Sequence, residues 1–260
     1  MTAIFEPGRL GHLYDLMHQL VLREIRIRYQ RSVLGIGWSL LNPLLQLLVF
    51  FFVFRWIVPV RVPNFPVFLF IGILVWNWFQ GCVNGGTSVI TDNPMLIRQP
   101  AFPTTILPVV TVTSQLVNFL LALPILLGVL LWSGVSLSSW ALLLPVVIAL
   151  QFILTLAIVY ITAAVHVSFR DTQYLLGIAL LLGFYLSPVF YDASAVPAAF
   201  RAVYRLNPMV ALLDGYRAVL LRGEAPDFAA LGLIAAASSL LLALSHRFFA
   251  RASHHFVEEL

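Results

Sequence analysis

Six long apolar runs, separated by short polar segments, dominate the pattern along the chain. Each run is near or above the roughly 20 residues that an α-helix needs to cross hydrocarbon. Helices also satisfy every backbone donor and acceptor within their own segment, as lipid requires. We therefore predict six transmembrane helices, at approximately Val33–Phe54, Val67–Ile90, Thr104–Trp132, Trp140–Val167, Tyr174–Phe190 and Phe228–Phe249.

The segment before the first run has a helical pattern of a different kind. Apolar residues recur at three- and four-residue spacing between Leu10 and Ile27, and the arginines fall mostly on the other side. This amphipathic pattern predicts a helix that lies in the membrane interface. A helix packed on a soluble domain is the alternative, but little polar sequence remains to build such a domain.

The polar segment between the fifth and sixth runs, residues 191–227, has a pattern of its own. Pro197 and Pro208 each begin a stretch with apolar residues at helical spacing, and Gly223 and Pro226 follow the second stretch. We predict two short amphipathic helices at the outer membrane surface. They either cap a pathway or tie the fifth and sixth spans together.

Three of the runs carry a polar stripe along one helical face. Polar side chains are costly in hydrocarbon unless they face other helices or water. We therefore expect these faces to point inward, where they either line a pathway or bond to neighbouring helices. The stripes are Ser39, Asn42 and Gln46 on the first run; Asn77, Gln80, Asn84 and Ser88 on the second; and Gln151, Thr155, Thr162 and His166 on the fourth.

Composition and charge agree with an integral membrane protein. Of 260 residues, 61% are hydrophobic and only 10% are charged, and the mean hydropathy is +0.96. The chain has no lysine, which excludes the phosphate-binding lysine of a Walker A loop. Arginines cluster before the first run, which favours cytoplasmic termini for an even number of spans.

These patterns together predict one transmembrane domain over residues 1–260. Its parts are an interfacial helix at 1–32, spans one to five within 33–190, external helices at 191–227, the sixth span at 228–250 and a cytoplasmic tail at 251–260.

Acidic residues give weak support for ion coupling or catalysis. The six runs contain no Asp, Glu or Arg in their interiors, whereas ion-driven transporters normally need such a group at membrane depth. Asp171, Asp192 and Asp214 are scattered without the paired spacing of an enzyme site. Two functions remain after ion-coupled transport and catalysis: a passive pore, or a pump that is driven by another chain. A membrane-bound glycan-modifying transferase and a purely structural scaffold are the alternatives from other classes.

Several short motifs are spread in order along nearly the whole chain. They are Arg23-Glu24-Ile25-Arg26-Ile27-Arg28-Tyr29, Leu34-Gly35, Trp38 and Pro43, then Asn93-Pro94, Arg170-Asp171, Ser187-Pro188-Val189 with Tyr191, and Leu206-Asn207-Pro208. In this order they resemble the permeases of ATP-binding-cassette exporters for undecaprenyl-linked O-antigens, capsules and teichoic acids.

The resemblance implies an all-α permease of the bacterial inner membrane that exports a lipid-linked polysaccharide. It also implies a homodimer that works with two separate cytoplasmic ATPase subunits. ATP and Mg would bind those partners, so this chain would hold no catalytic residue, cofactor or metal. An ABC permease for a small hydrophobic solute or drug is the related alternative.

The resemblance further implies roles for particular residues. The ATPase-coupling helix would contain Asp92, Asn93, Pro94, Met95, Leu96, Ile97 and Arg98, and the external gate helices would contain Tyr204, Asn207, Pro208 and Tyr216.

The cargo expected from the resemblance suggests two further sets of residues. Arginine suits phosphate, so Arg26, Arg28 and Arg31 are candidates for the lipid diphosphate, although topology and anionic lipid explain them equally well. Sugars stack on aromatic rings, and we predict that a minority of the many aromatic residues line the channel: Phe50, Phe54, Trp78, Tyr185 and Tyr191.

Overall fold

The computed structural model describes residues 7–30, 32, 34–35, 37–57, 62–100 and 102–260. Within these ranges the chain forms helices and helical turns without any strand, so the predicted all-α class is confirmed there. The helices are α1 (Pro7–Tyr29), α2 (Gly37–Phe52), α3 (Phe65–Thr87), α4 (Pro94–Ile97), α5 (Ile106–Trp132), α6 (Leu144–Ser168), α7 (Thr172–Leu186), α8 (Arg201–Tyr204), α9 (Pro208–Arg217), α10 (Phe228–Ala252) and α11 (Phe256–Glu259).

Each predicted apolar run overlaps most of one main helix, namely α2, α3, α5, α6, α7 or α10. Among the described residues, four of these are long and apolar enough to cross a membrane: α3, α5, α10, and α6 together with the 3₁₀ turn Ser139–Leu143 that precedes it. The other two are shorter, with 16 residues in α2 and 15 in α7. A π-helical turn at Val53–Ile57 extends α2. The crossing of the membrane by α2 and α7 stays a prediction.

Local chemistry explains where several helices begin. Asn64 precedes α3 in the left-handed region, at φ 49°, which asparagine tolerates better than most residues. The Asn207 side chain accepts a hydrogen bond from the Met209 N–H and caps α9, where Pro208 occupies the first turn. Asp227 caps α10 in the same way by accepting from the Ala230 N–H.

Helix α3 lies at the centre of the bundle. It packs against α2, α5, α6, α7 and α9, and it is apolar around most of its circumference, as expected for a helix surrounded by protein. Helix α10 packs mainly on α6, and α1 lies along α5. The apolar face of α1 contributes Met17, Leu20 and Val21 to the core, so the amphipathic N-terminal helix is present. Its contact with the membrane interface stays a prediction.

A glycine brings α3 and α6 close together. A Cβ atom built on Gly86 would overlap the side chain of Val159, so the two helices pack at a distance that only glycine permits here. The adjacent Gly85 is different, because a Cβ there would meet only the Thr111 methyl at 3.5 Å, an ordinary contact. A comparison of Gly85 with Gly86 therefore distinguishes the effect of the close α3–α6 contact from the effect of replacing any glycine in a helix.

We expect Gly86→Ala to lower the free energy of unfolding by about 1–3 kcal/mol, because it overpacks the contact with Val159. Unfolding with SDS in mixed micelles measures the effect. The matched Gly85→Ala variant should be neutral or slightly stabilised, since alanine favours helix over glycine. Equal stability of the two variants would contradict this account of the interface.

Candidate functional site

A polar cavity of about 610 Å³ lies between α2, α3 and α5. The α2 stripe meets Asn77, Gln80 and Asn84 of the α3 stripe there, so the expectation that these faces point inward is confirmed for those residues. Ser88, the last residue of the α3 stripe, lies outside the cavity and donates to the Asp92 carboxylate at 2.6 Å. The cavity wall includes amide side chains from all three helices: Asn42, Gln46, Asn77, Gln80, Asn84, Gln115 and Asn118. Trp38, Trp78 and Phe119 add ring surfaces. Arg28 of α1 is the single charged residue among the described residues that line this cavity.

Hydrogen bonds hold part of the amide lining in place. The Asn77 Nδ2 donates to the Gln46 Oε1 at 2.9 Å and joins α2 to α3. Within α3, the Trp76 indole N–H donates to the Gln80 Oε1 at 3.0 Å. These bonds fix the side chains that face the cavity and leave a wall rich in donors and acceptors.

Two wall residues on α5, Gln115 and Asn118, were not among the sequence candidates. They lie three residues apart, on one face of the helix, and the Asn118 Nδ2 donates to the Gln115 Oε1 at 3.1 Å. The sequence signal for these wall residues is a pair of amides three residues apart within an otherwise apolar run.

The third stripe, on α6, has another role. Gln151 is fully buried and its Nε2 donates to the Val75 carbonyl at 3.0 Å, while Thr87 donates to Thr162 at 3.0 Å. Thr155 and His166 are also buried. The stripe points inward as expected, but it bonds α6 to α3 and does not line the cavity.

The arginine candidates differ in their placement. Arg28 lines the polar cavity and also a second cavity of about 460 Å³, which reaches Asp92, Asn93 and Leu96 beside α4. Arg26 is exposed and lines neither cavity. Arg31 lies outside the described residues.

Arg28 is held by an ion pair at the junction of the two cavities. Its guanidinium lies 3.0 Å from the Glu24 carboxylate, which also accepts a hydrogen bond from the Ser114 hydroxyl of α5 at 3.1 Å. Burial raises the pKa of the Glu24 carboxyl, and Arg28 and Ser114 oppose that rise. The arrangement fixes α1 to α5 and presents a cation to both cavities.

The predicted channel aromatics fall into three settings. Phe50 and Phe54 stack with Phe190, at centroid distances of 6.3 and 5.4 Å. Trp78 is buried and stacks on Phe119 at 4.9 Å beside the polar cavity. Tyr185 is exposed, and its carbonyl accepts from the Tyr191 hydroxyl.

Part of the segment predicted as external lies inside the bundle. Helix α9 packs against α3, α6 and α10, and Tyr216 is completely buried with its ring 6.1 Å from Phe119. The apolar face of α9 is therefore covered by other helices, and the position of both short helices at the outer membrane surface stays a prediction. Tyr204 is half-buried and donates to the Tyr191 hydroxyl, while Asn207 donates to Ser187 at 2.9 Å.

The central helices, the polar cavity and the buried α9 fall within a region that matches a known family. A family model described as ABC-2 type transporter covers residues 16–221. The chain belongs to the ABC-2 type transporter family. The resemblance inferred from the ordered motifs is confirmed.

Named relatives of this ABC-2 type chain are similar over most of its length. O-antigen export system permease protein RfbA of Myxococcus xanthus is 38% identical over 251 residues, covering 94% of this chain and 95% of that protein. A protein of the same name from Klebsiella pneumoniae is 28% identical, covering 82% and 83%. Polysialic acid transport protein KpsM of Escherichia coli is 26% identical, covering 83% and 85%.

The α3–α5 connection of this ABC-2 type chain presents a small exposed surface. Met95 of α4 is 78% exposed and Arg98 is exposed, whereas Ile97 is buried within the chain. Ile97 therefore contributes to internal packing, which leaves Met95 and Arg98 on the surface. Asn93 anchors the start of α4 by donating to the Val89 carbonyl at 2.9 Å.

The C-terminal segment folds back beside this connection. Helix α11 contacts α4 and α6, and the buried Phe256 packs on Phe249 at a centroid distance of 5.3 Å. The sequence predicts only a cytoplasmic tail at residues 251–260. The available signal was the aromatic Phe256 between the polar residues His255 and Glu258.

We expect the bond between Gln46 and Asn77 to couple α2 and α3 by about 1 kcal/mol, the scale of hydrogen bonds between membrane helices. A double-mutant cycle with Gln46→Leu and Asn77→Leu, followed by SDS unfolding, measures the coupling. Gln46→Leu with Asn84→Leu is the matched control pair, because no hydrogen bond joins those two side chains in the described structure. Additive effects in the Gln46 and Asn77 cycle would contradict the coupling.

Proposed function

We propose that this chain is the permease subunit of an exporter that moves a lipid-linked polysaccharide from the cytoplasmic side across the inner membrane. Two copies would form the pathway, and two separate ATPase subunits would drive it. The observation that carries the proposal is the amide-rich cavity, with Arg28 at its edge, in an ABC-2 type chain whose relatives are named as O-antigen and polysialic acid transport proteins.

The chemistry of the polar cavity supports a glycan as the cargo. Amide groups donate and accept hydrogen bonds, as sugar hydroxyls do, and they impose no charge on the cargo. The exposed ring of Trp38 offers an apolar face for the C–H surfaces of sugars, while Trp78 and Phe119 stack on each other in the wall. This combination favours a polyhydroxylated chain over a small hydrophobic drug, for which seven amides in the wall would be unfavourable.

Arg28 is the candidate for the lipid diphosphate that the structure favours. A guanidinium binds phosphate through two parallel donors, and Arg28 lies where the two cavities meet. Glu24 is its partner in the present arrangement. An incoming diphosphate would take the place of that carboxylate.

The energy source is proposed to be a separate ATPase. The helices α2, α3, α5, α6, α7 and α10 contain no Asp or Glu, so they offer no carboxylate for proton or sodium coupling. The chain also lacks the lysine that a nucleotide-binding loop needs. The exposed Met95 and Arg98 on α4 are the proposed ATPase contact. The homodimer and the cytoplasmic termini rest on the family resemblance and on the arginines near the first span.

We expect the double variant Asn42→Leu with Asn84→Leu to reduce polysaccharide export about fivefold to 100-fold, because each amide contributes roughly 0.5–1.5 kcal/mol through hydrogen bonds. Surface polysaccharide, normalised to the amount of permease in the membrane, measures export. Ser239→Leu on the exposed side of α10 is the control for a polar-to-leucine change. Normal export by a double variant present at normal levels would contradict the glycan pathway.

We expect Met95→Asp to weaken the association with the ATPase, because it places a charge at the centre of an apolar contact. Co-purification of the ATPase encoded beside the permease gene, and ATP hydrolysis by the purified complex, are the measurements. Leu206→Asp is the matched control, since Leu206 is 79% exposed and is predicted to lie on the opposite side of the membrane. Equal recovery of the ATPase with both variants would count against α4 as the contact.

A further inference from the structure

Arg217, at the end of α9, is a buried cation that the proposed transport path does not use. Its side chain is only 3% exposed, although a guanidinium stays charged in proteins. Burying a charge is costly unless it has partners. Among the described residues, no carboxylate lies within ion-pair distance of Arg217, and the charges of Asp214 and Asp192 act on it only from farther away.

The partners of Arg217 are two backbone carbonyls and one aromatic ring. Its Nη2 donates to the Phe68 carbonyl of α3 at 3.2 Å and to the Val189 carbonyl after α7 at 2.9 Å. The guanidinium carbon lies 3.4 Å from the centre of the Phe68 ring, in cation–π geometry. One side chain therefore joins α9, α3 and the segment after α7.

The two residues whose carbonyls bind Arg217 both lie next to the same group of aromatic rings. We call Phe50, Phe54, Phe65, Phe184 and Phe190 the aromatic cluster. Val189 directly precedes Phe190, whose ring lies 5.4 Å from Phe54 and 5.8 Å from Phe184. Phe68 stacks on Phe65 at 6.4 Å, and Phe65 meets Phe54 edge-on at 5.8 Å. Arg217 therefore binds the backbone behind two separate sides of the cluster.

Gly72 leaves the space that this arrangement needs. A Cβ atom on Gly72 would lie 2.5 Å from the Val189 carbonyl oxygen and 2.9 Å from the Arg217 Nη2. Any larger residue there would push apart the same two groups that the hydrogen bond joins. A larger residue at position 72 would disrupt the bond between Arg217 and the Val189 carbonyl by overlap, whereas a change of Arg217 removes the donor. The two substitutions therefore test the same hydrogen bond independently.

We propose that Arg217 is a positioning residue that holds the aromatic cluster in place by binding the Phe68 and Val189 carbonyls, and that release of this contact opens the cluster. The proposal rests on the proposed function, because Phe50 and Phe54 are predicted to line the path of the glycan. A displacement of α9 would then be transmitted to the rings through Arg217. The role uses the planar guanidinium, because its Nη2 donates to both carbonyls while its plane lies over the Phe68 ring, whereas an ammonium group has no plane to place there.

A thiol placed at Val189 reports on the contact without any need for cargo. The Val189 side chain is fully buried, and the buried Cys82 is the one natural cysteine of the sequence. In a Cys82→Ala background, Val189→Cys should react slowly with N-ethylmaleimide in vesicles that contain the permease with its ATPase. Adding Arg217→Gln or Gly72→Ala should raise the labelling rate at least about tenfold, because loss of a partner from a buried charged contact promotes local opening.

Two further variants test the role of the guanidinium itself. Arg217→Lys keeps the charge but loses the planar group over the Phe68 ring, so its labelling rate should lie between those of the parent and Arg217→Gln. Arg222→Gln is the matched control, because Arg222 is exposed on the next turn and pairs with Asp214 at 2.9 Å. It should leave the thiol unreactive.

An unreactive thiol in a folded Arg217→Gln variant would overturn the proposal, as would equal labelling in Arg222→Gln. If Arg217→Gln yields no folded complex, Gly72→Ala and Arg217→Lys decide the question by the same measurement. Export of surface polysaccharide is measured separately on the same variants. Since labelling does not depend on the cargo, failure of this contact and failure of the proposed function give different results.

Discussion

The bundle depends on hydrogen-bond partners for the polar groups on two sides of α3, because this helix is surrounded by apolar helices. Hydrocarbon provides no hydrogen-bond partner, so each side needs its own solution. Towards α6, the Thr87 hydroxyl and the Val75 carbonyl bond directly to Thr162 and Gln151. Towards α2 and α5, Asn77 and its neighbours face a cavity of about 610 Å³, which has room for many waters at about 30 Å³ each.

The α3–α6 contact is a rigid interface, whereas the α2–α3 contact is an adaptable one. The α3–α6 contact has buried hydrogen bonds and close packing at Gly86, where an added methyl group would overlap Val159. The α2–α3 contact has one interhelical amide bond, between Gln46 and Asn77, beside a large cavity. A cargo can therefore exchange hydrogen bonds with the amides on the α2 side while α3 and α6 keep their geometry.

Periodicity predicted much of the fold because hydrophobic spans and polar stripes are local properties of sequence. The six apolar runs became six helices, and the stripes on α2 and α3 did converge. Periodicity identifies the apolar face of a helix but not what covers it, so the packing of α9 against α3, α6 and α10 could not be predicted. The spacing of Met209, Leu212 and Tyr216 suits a lipid interface and a protein core equally well.

The site was only partly predictable because its wall combines residues distant in sequence. Gln115 and Asn118 had the spacing of a polar stripe, but their meeting with Gln46 and Asn77 depends on helix packing. The same is true of Arg217, whose partners at Phe68 and Val189 lie 149 and 28 residues away. Two of its three partners are backbone carbonyls, which every residue carries, so no side-chain pattern could have indicated those two.

Arg28 depends on both the local sequence and the packing of the helices. The sequence of α1 supplies the cation, and tertiary packing places it against two cavities. Its ion pair with Glu24 is partly exposed, and pairs of that kind contribute about 1 kcal/mol or less. Ser114 retains Glu24 at α5 when the cation changes partner, so exchange need not detach α1. A phosphate oxygen would form charge-assisted bonds of comparable or greater strength with Arg28. The pair therefore suits a site of capture better than a structural lock, and the second cavity beside α4 places that capture next to the surface proposed for the ATPase.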